Sequence, residues 1–143
     1  MKILTVVIVV LCLAGVAVAS LVLREHYNND PSPCDINAVW DCGTVNHSPD
    51  AELWHRVPVA MIGIMGYALL GILAGRFPWT TAFAALAGTV FSLRLTWIEW
   101  KVIGVWCIYC VTSQGIIILI LALALTAALL SRRISRPGGQ IPA

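Results

Sequence analysis

Four apolar stretches, each near the length of about twenty residues that crosses a bilayer as a helix, constrain this chain more than any other feature. They run from Ile3 to Leu23, from Val57 to Gly75, from Trp79 to about Trp97 or Trp100, and from Cys107 or Val111 to Leu130. Hydrophobic residues make up 59% of 143 residues and charged residues 11%, a balance that a soluble domain of this size could not bury. The expected fold is an all-α integral-membrane bundle of four helices (about 3–23, 57–75, 79–100 and 107–130). A long outer loop, 24–56, joins helices one and two, a tail follows from 131 to 143, and the whole of 1–143 forms a single domain.

The few charges orient the bundle. Lys2 precedes the first stretch, Arg76 follows the second, and Arg132, Arg133 and Arg136 follow the fourth, so the positive-inside rule puts these ends in the cytoplasm. Both termini are then inside, and the 24–56 loop and the turn before Cys107 share the outer face. The first stretch imitates a secretory signal, with Ala17-Val18-Ala19 before Ser20. Its apolar run outlasts the usual signal core of about 7 to 15 residues, so a retained helix is expected.

Five cysteines fall on this frame. Cys34 and Cys42 lie in the loop, Cys107 and Cys110 open the fourth helix, and Cys12 sits within the first. The outer side of a bacterial membrane is oxidising, so thiols displayed there are expected to pair. Cysteines three apart on a helix have β-carbons about 5 to 6 Å apart on one face, a geometry close to what a disulfide spans. A helix N-terminus stabilises a thiolate, which activates Cys107, and about 4.5 Å of helix rise sets Cys110 nearer the apolar interior. Such a dithiol can accept electrons from the water side and pass them to a lipid-soluble acceptor.

Competing readings exist for each feature. A lone CxxC also serves as a metal half-site or a structural disulfide. A zinc site is disfavoured because seven residues separate Cys34 from Cys42, whereas ligands of one knuckle are usually separated by about two to four. No metal is therefore expected, and nothing suggests nucleic-acid binding. His26, His47 and His55 read as polar loop residues, Trp40 and Trp54 as interfacial anchors. Arg94 and Glu99 lie near the outer end of helix three, where their side chains can reach water, along with Trp97, Trp100, Lys101 and Trp106. Gly63, Gly66, Gly71 and Gly75 mark close helix packing, which also shapes a flat slot within the bundle.

Together the residues resemble the vitamin K epoxide reductase family of membrane thiol oxidoreductases. The resemblance rests on Cys34-Asp35, on Cys42 eight positions later, and on Cys107-Ile-Tyr-Cys110 opening the last helix, followed by Val111-Thr112-Ser113. Val45 and Ser48, VPVAMIGIMGY and LTWIEW extend it from about Ser20 to Leu130. The DsbB family carries its CxxC in the first outer segment and its spaced pair in the second, the reverse order. The resemblance implies four catalytic cysteines, Cys34, Cys42, Cys107 and Cys110, and a quinone, ubiquinone or menaquinone, as electron acceptor beside Cys110. It implies a DsbA-like thioredoxin-fold partner on the periplasmic face of the bacterial inner membrane. Vertebrate members carry a tyrosine where Gln114 stands and an asparagine where Val59 stands. Gln114 can still donate to a quinone carbonyl, while Val59 can only pack. A membrane metal-handling or structural-disulfide protein is the rival class.

Overall fold

A computed structural model describes residues 1–28, 30–53 and 56–134. Trp54, His55 and Arg136 lie outside the described residues.

The chain is mostly helical: α1 (Lys2–Tyr27), α2 (Cys42–Asn46), α3 (Val59–Leu73), α4 (Pro78–Ile98) and α5 (Ile108–Ile134), with a two-stranded antiparallel ribbon of β1 (Glu52–Leu53) and β2 (Val57–Pro58). Among the described residues three helices are long and apolar enough to cross a membrane: α1, α5, and α4 together with the π-turn that extends it to Ile103. Residues on their outer faces and on α3 are apolar yet exposed, Ile3, Met65, Ile72 and Phe83 being between 67% and 81% accessible. Such a surface needs lipid to cover it. The helix of the second expected stretch is shorter than its apolar run, because Val57 and Pro58 are taken into β2 and the helix ends at Leu73. At 15 residues α3 measures about 22 Å, against a hydrocarbon thickness of about 30 Å.

Local chemistry sets the ends of these elements. Pro78 occupies the first turn of α4, where its missing N–H costs no helical bond. At the other end, α4 does not stop at a simple cap. It widens into a π-turn, Glu99–Ile103, closed by the Gly104 amide donating to the Glu99 carbonyl at 2.8 Å. Gly104 has φ +79°, a left-handed conformation that glycine adopts at little cost. The helix α1 runs one turn beyond its apolar run, so Arg24, Glu25 and His26 are helical rather than loop residues.

In the packed bundle α1 lies against α3 and α5, and α4 against α5, while α3 and α4 meet much less closely. Ile8 and Cys12 of α1, Tyr67 and Leu70 of α3, Ala85 of α4 and Ile120 of α5 share one core. Tyr67 links three helices: its hydroxyl donates to the Ser113 carbonyl at 2.7 Å, and its ring covers Gly15. Lys2, Arg76 and Arg132 gather at one end, since Gly75 faces Thr5 and the Arg132 guanidinium lies 5.0 Å from the Trp79 ring. The loop cysteines occupy the other end.

A β-carbon on residue 15 would sit 2.5 Å from the Tyr67 ring carbons, and a ring wedged between helices cannot yield without moving α3. Gly15→Ala is expected to destabilise the detergent-solubilised protein by about 1 to 3 kcal/mol, the usual cost of overpacking. Thermal melting of Gly15→Ala in the wild-type and in a Tyr67→Leu background checks this, the glycine change costing little once the ring it meets is gone.

Candidate active site

The loop that carries Cys34 and Cys42 is held by side chains that satisfy its backbone. Asp35 grips both ends of the disulfide loop: Oδ2 accepts from the Ser32 amide at 2.9 Å and Oδ1 from the Gly43 amide at 3.0 Å. Asn37 Oδ1 accepts from the amides of Val39 and Trp40 and closes a tight turn. Asp41 caps α2, taking the Thr44 amide at 2.8 Å and the Thr44 hydroxyl at 2.7 Å. These bonds, the Thr44 amide foremost, hold the Asp41 carboxyl below the ordinary aspartate range.

The loop is stitched to the start of α5 by an isolated parallel bridge between Trp40 and Trp106. The Trp106 amide donates to the Val39 carbonyl at 2.8 Å and the Asp41 amide to the Trp106 carbonyl at 3.0 Å. Each tryptophan is followed closely by a cysteine, so one bridge fixes Cys42 beside Cys107. Cys34 and Cys42 form a disulfide with α-carbons 5.8 Å apart. The sulfurs of Cys34, Cys42 and Cys107 all lie within 4.8 Å of one another, and all three residues are buried.

Cys107 is the N-cap of α5. Its carbonyl accepts the first helical bond, from the Val111 amide, and its sulfur accepts from the Cys110 amide at 3.4 Å. Asn46 Nδ2 approaches the same sulfur from α2 at 3.9 Å. The Cys107 thiol is held below its ordinary range, first by the Cys110 thiol that donates to it. Burial opposes this, the Cys110 and Tyr109 amides assist, and the nearby Glu99 charge opposes. A depressed pKa leaves more thiolate at neutral pH, the form that attacks disulfides.

Cys110, one turn on, also borders a cavity of about 480 Å³. Its position follows from the loose contact between α3 and α4. Small residues, Gly63 and Gly66 on α3 and Gly88 on α4, widen the gap, and Val59, Thr96 and Cys110 border it. The volume suits a small aromatic head group and the largely apolar wall suits a lipid-soluble one. Gln114 is not among the lining residues. Its amide oxygen is engaged by the Thr96 hydroxyl, and Thr96 takes the place on the wall.

The helical pattern and the charge pattern hid three residues. Glu99, expected at the interface with its side chain reaching water, is only 3% accessible and accepts the Cys107 amide through Oε2 at 3.3 Å. The π-turn supplies the reason, because it changes the angular step at the end of α4 and so redirects the side chains there. His26, expected as a loop residue, joins α1 to the loop: Nδ1 is 2.6 Å from the Asn46 carbonyl and Nε2 3.3 Å from Glu52 Oε1. Asn46 carried a usable signal, lying four residues after Cys42 on one helix face.

A family model described as the vitamin K epoxide reductase family matches residues 6–125. The chain belongs to this family. No curated protein matches it. In this vitamin K epoxide reductase family member, the cluster of Cys34, Cys42 and Cys107 supports membrane thiol-oxidoreductase chemistry. The cysteine order of the sequence thus becomes a chain of contacts, from a loop disulfide to a helix-capping thiol to a thiol on a cavity wall.

Removal of the Asp41 side chain is expected to loosen α2. Asp41→Ala should cost about 1 kcal/mol, the ordinary worth of an N-cap, and speed proteolysis of the 28–53 segment. Because the folded carboxyl titrates below its unfolded value near about 3.9, its contribution is complete above that pH and fades as pH falls through the folded value. Loop proteolysis of the wild type should therefore rise at acid pH toward that of the variant.

Proposed function

We propose that this chain is a quinone-dependent thiol-disulfide oxidoreductase of the bacterial inner membrane that supports disulfide bond formation outside the cell. In this reading residues 1–143 make one membrane domain and α3 spans with the three longer helices. The basic ends and both termini lie in the cytoplasm and the cysteines on the periplasmic side. The observation that carries the proposal is the placement of the Cys107 thiol against the Cys34–Cys42 disulfide, with Cys110 bordering an apolar cavity.

The relay conserves electrons at each exchange. Two thiols of a DsbA-like thioredoxin-fold partner reduce the Cys34–Cys42 disulfide and leave as the partner's own disulfide. The Cys42 thiolate then attacks Cys107 of an oxidised Cys107–Cys110 pair, releasing Cys110 as thiolate. Cys34 attacks Cys42, re-forming the loop disulfide and freeing Cys107. The conformer seen here, with Cys34 bonded to Cys42 and with Cys107 and Cys110 free, corresponds to this point. Finally Cys107 and Cys110 close their own disulfide, passing two electrons and two protons to a quinone, ubiquinone or menaquinone, in the cavity. Val59 packs against the ring, and Gln114 orients the Thr96 hydroxyl on the opposite wall.

One observation favours the rival class, since three buried sulfurs within 4.8 Å could hold a metal ion. Two of them are spent in a disulfide, and a closed structural zinc site needs four ligands. Purified, pre-reduced protein is expected to reduce added quinone and to hold no stoichiometric zinc. Residue 66 offers a second control, because a β-carbon there meets nothing within 4 Å and the residue lines the cavity. Gly66→Leu should slow quinone reduction at least about tenfold, a cost near 1.4 kcal/mol, while the Cys34–Cys42 disulfide still forms. Stoichiometric zinc with no quinone reduction would overturn the reading.

The direction of transfer has its own test. With Cys34→Ser the thiolate that resolves the mixed disulfide is missing, so a Cys42–Cys107 bond should accumulate. Proteolysis at Arg76 would then give two fragments that separate only on reduction. A crosslink mainly to Cys110, or none, would refute the order.

A further inference from the structure

Glu99 is a buried carboxyl with no counter-ion among the described residues. It is 3% accessible, and among the described residues no lysine, arginine or histidine nitrogen lies within 4 Å of it. Burying a carboxyl without a cation is costly, and an apolar residue at this place would pack without that cost. Its surroundings are the two thiols: Oε2 takes the Cys107 amide at 3.3 Å, and the carboxyl borders the Cys110 thiol. It also lines the 480 Å³ cavity beside Cys110. One group therefore touches the cap of α5, the terminal thiol and the space beyond it.

We propose that Glu99 is a catalytic base and proton carrier for oxidation of the Cys107–Cys110 dithiol. The inference rests on the quinone-reductase reading for its final acceptor. The Glu99 carboxylate takes the S–H proton of Cys110, and the Cys107 sulfur bonds to the Cys110 sulfur. Two S–H bonds are lost and one S–S bond forms. Two electrons pass to the quinone in the cavity, and its two oxygens receive two protons, one from Glu99 and one released by Cys107. Glu99 is left as a carboxylate, ready for the next dithiol. Without such a carrier, the Cys110 proton would have to cross an apolar wall unaided. The amide bond from Cys107 holds the carboxylate at the junction throughout, so one residue positions and transfers.

The other titratable and charged groups around this junction are few. Cys107 and Cys110 adjoin Glu99 from the start of α5, and His26 of α1, Asp50 and Tyr67 of α3 line the same cavity. On its own segment Lys101 sits 3.8 Å from the Trp100 ring centre and Arg94 is exposed.

Glu99→Gln keeps the shape and an acceptor for the Cys107 amide but cannot carry a proton. In single turnover of pre-reduced protein, quinol formation should fall about 100-fold, the low end of general acid–base effects. Combined with Cys34→Ser, the variant should still accumulate the Cys42–Cys107 crosslink. A quinone-free measurement reads the proton itself, with the Cys107–Cys110 couple equilibrated against thiol redox buffers across pH. Its midpoint potential should bend where the carboxyl titrates, a bend lost in Glu99→Gln and recovered, with activity, in Glu99→Asp. A purely positioning role would leave the bend in place with glutamine, and that result, or quinol formation within twofold of wild type, would overturn the proposal. Should Glu99→Gln fail to assemble, Glu99→Asp decides: a displaced bend supports the proposal and an unchanged profile refutes it. Should the wild type reduce no quinone, the acceptor reading fails, yet the potential titration still decides whether Glu99 holds the Cys110 proton.

Discussion

Two hydrogen bonds across the Trp40–Trp106 bridge govern the site on which the rest of the molecule depends. They join segments more than sixty residues apart in sequence and fix their register. A residue's slip would turn Cys42 away from Cys107, since neighbouring residues of an extended segment point to opposite sides. The bridge alone is too short to be stable. It is supported from the loop by Asn37, which turns the chain into Trp40, and by Asp35, which clamps the two sides of the disulfide. From the membrane side it is supported by Glu99, which takes the amide of the residue immediately after the bridge. These polar side chains serve backbone groups near the apolar boundary, where an unpaired amide would be costly.

The cavity has a different origin. Nothing excavates it; it is the space left where α3 and α4 meet only loosely. Both helices pack well against other partners, α3 on α1 and α4 on α5, and small residues along its walls, Gly63, Gly66 and Gly88, leave the gap unfilled. Tyr67 keeps the gap from collapsing, since its hydroxyl is anchored to Ser113 of α5 and its ring is seated on Gly15. A small-residue surface that could have brought two helices into contact instead borders an apolar chamber, because a third element holds one of them at a distance.

The sequence made some of this legible. Apolar runs disclosed α1, α4 and α5 because length and hydropathy suffice to mark a span. The Cys107 and Cys110 pair was legible because its spacing on a helix carries its own geometry, whereas the roles of Cys34 and Cys42 come from the family resemblance. Arg76 and Arg132 were readable as sharing one end, since antiparallel helices return there. Glu99 was not readable in the same way. An acid amid Trp97, Trp100 and Lys101 at the end of an apolar helix has the composition of an interfacial belt, and only the π-turn, which depends on tertiary packing, carries it inward. His26 escaped because one additional helical turn on α1 lifts it onto the loop, and no local pattern fixes where an apolar helix ends. Only the family resemblance places Gln114 beside the quinone, and its pairing with Thr96 depends on the crossing of α4 and α5, which a sequence does not convey.

Sulfur, unlike a proton, does not need water to move electrons between neighbours. The Cys34, Cys42 and Cys107 cluster can lie buried within 4.8 Å because thiol–disulfide exchange transfers the pair by making and breaking S–S bonds, with thiolate as the only charged species. Depressing Cys107 by its cap position and by the Cys110 thiol supplies that thiolate without a cation, which would be expensive to bury. The proton has no equivalent path. A dithiol oxidised at an apolar wall releases two protons into surroundings that solvate charge poorly, so the side that handles protons needs a titratable group the sulfur side does not. That asymmetry accounts for an acid beside the two thiols of α5, on the wall of the cavity. It also links the proposed electron path to a proton path through the same helix cap, so a change at Glu99 would act on Cys107 and Cys110 together.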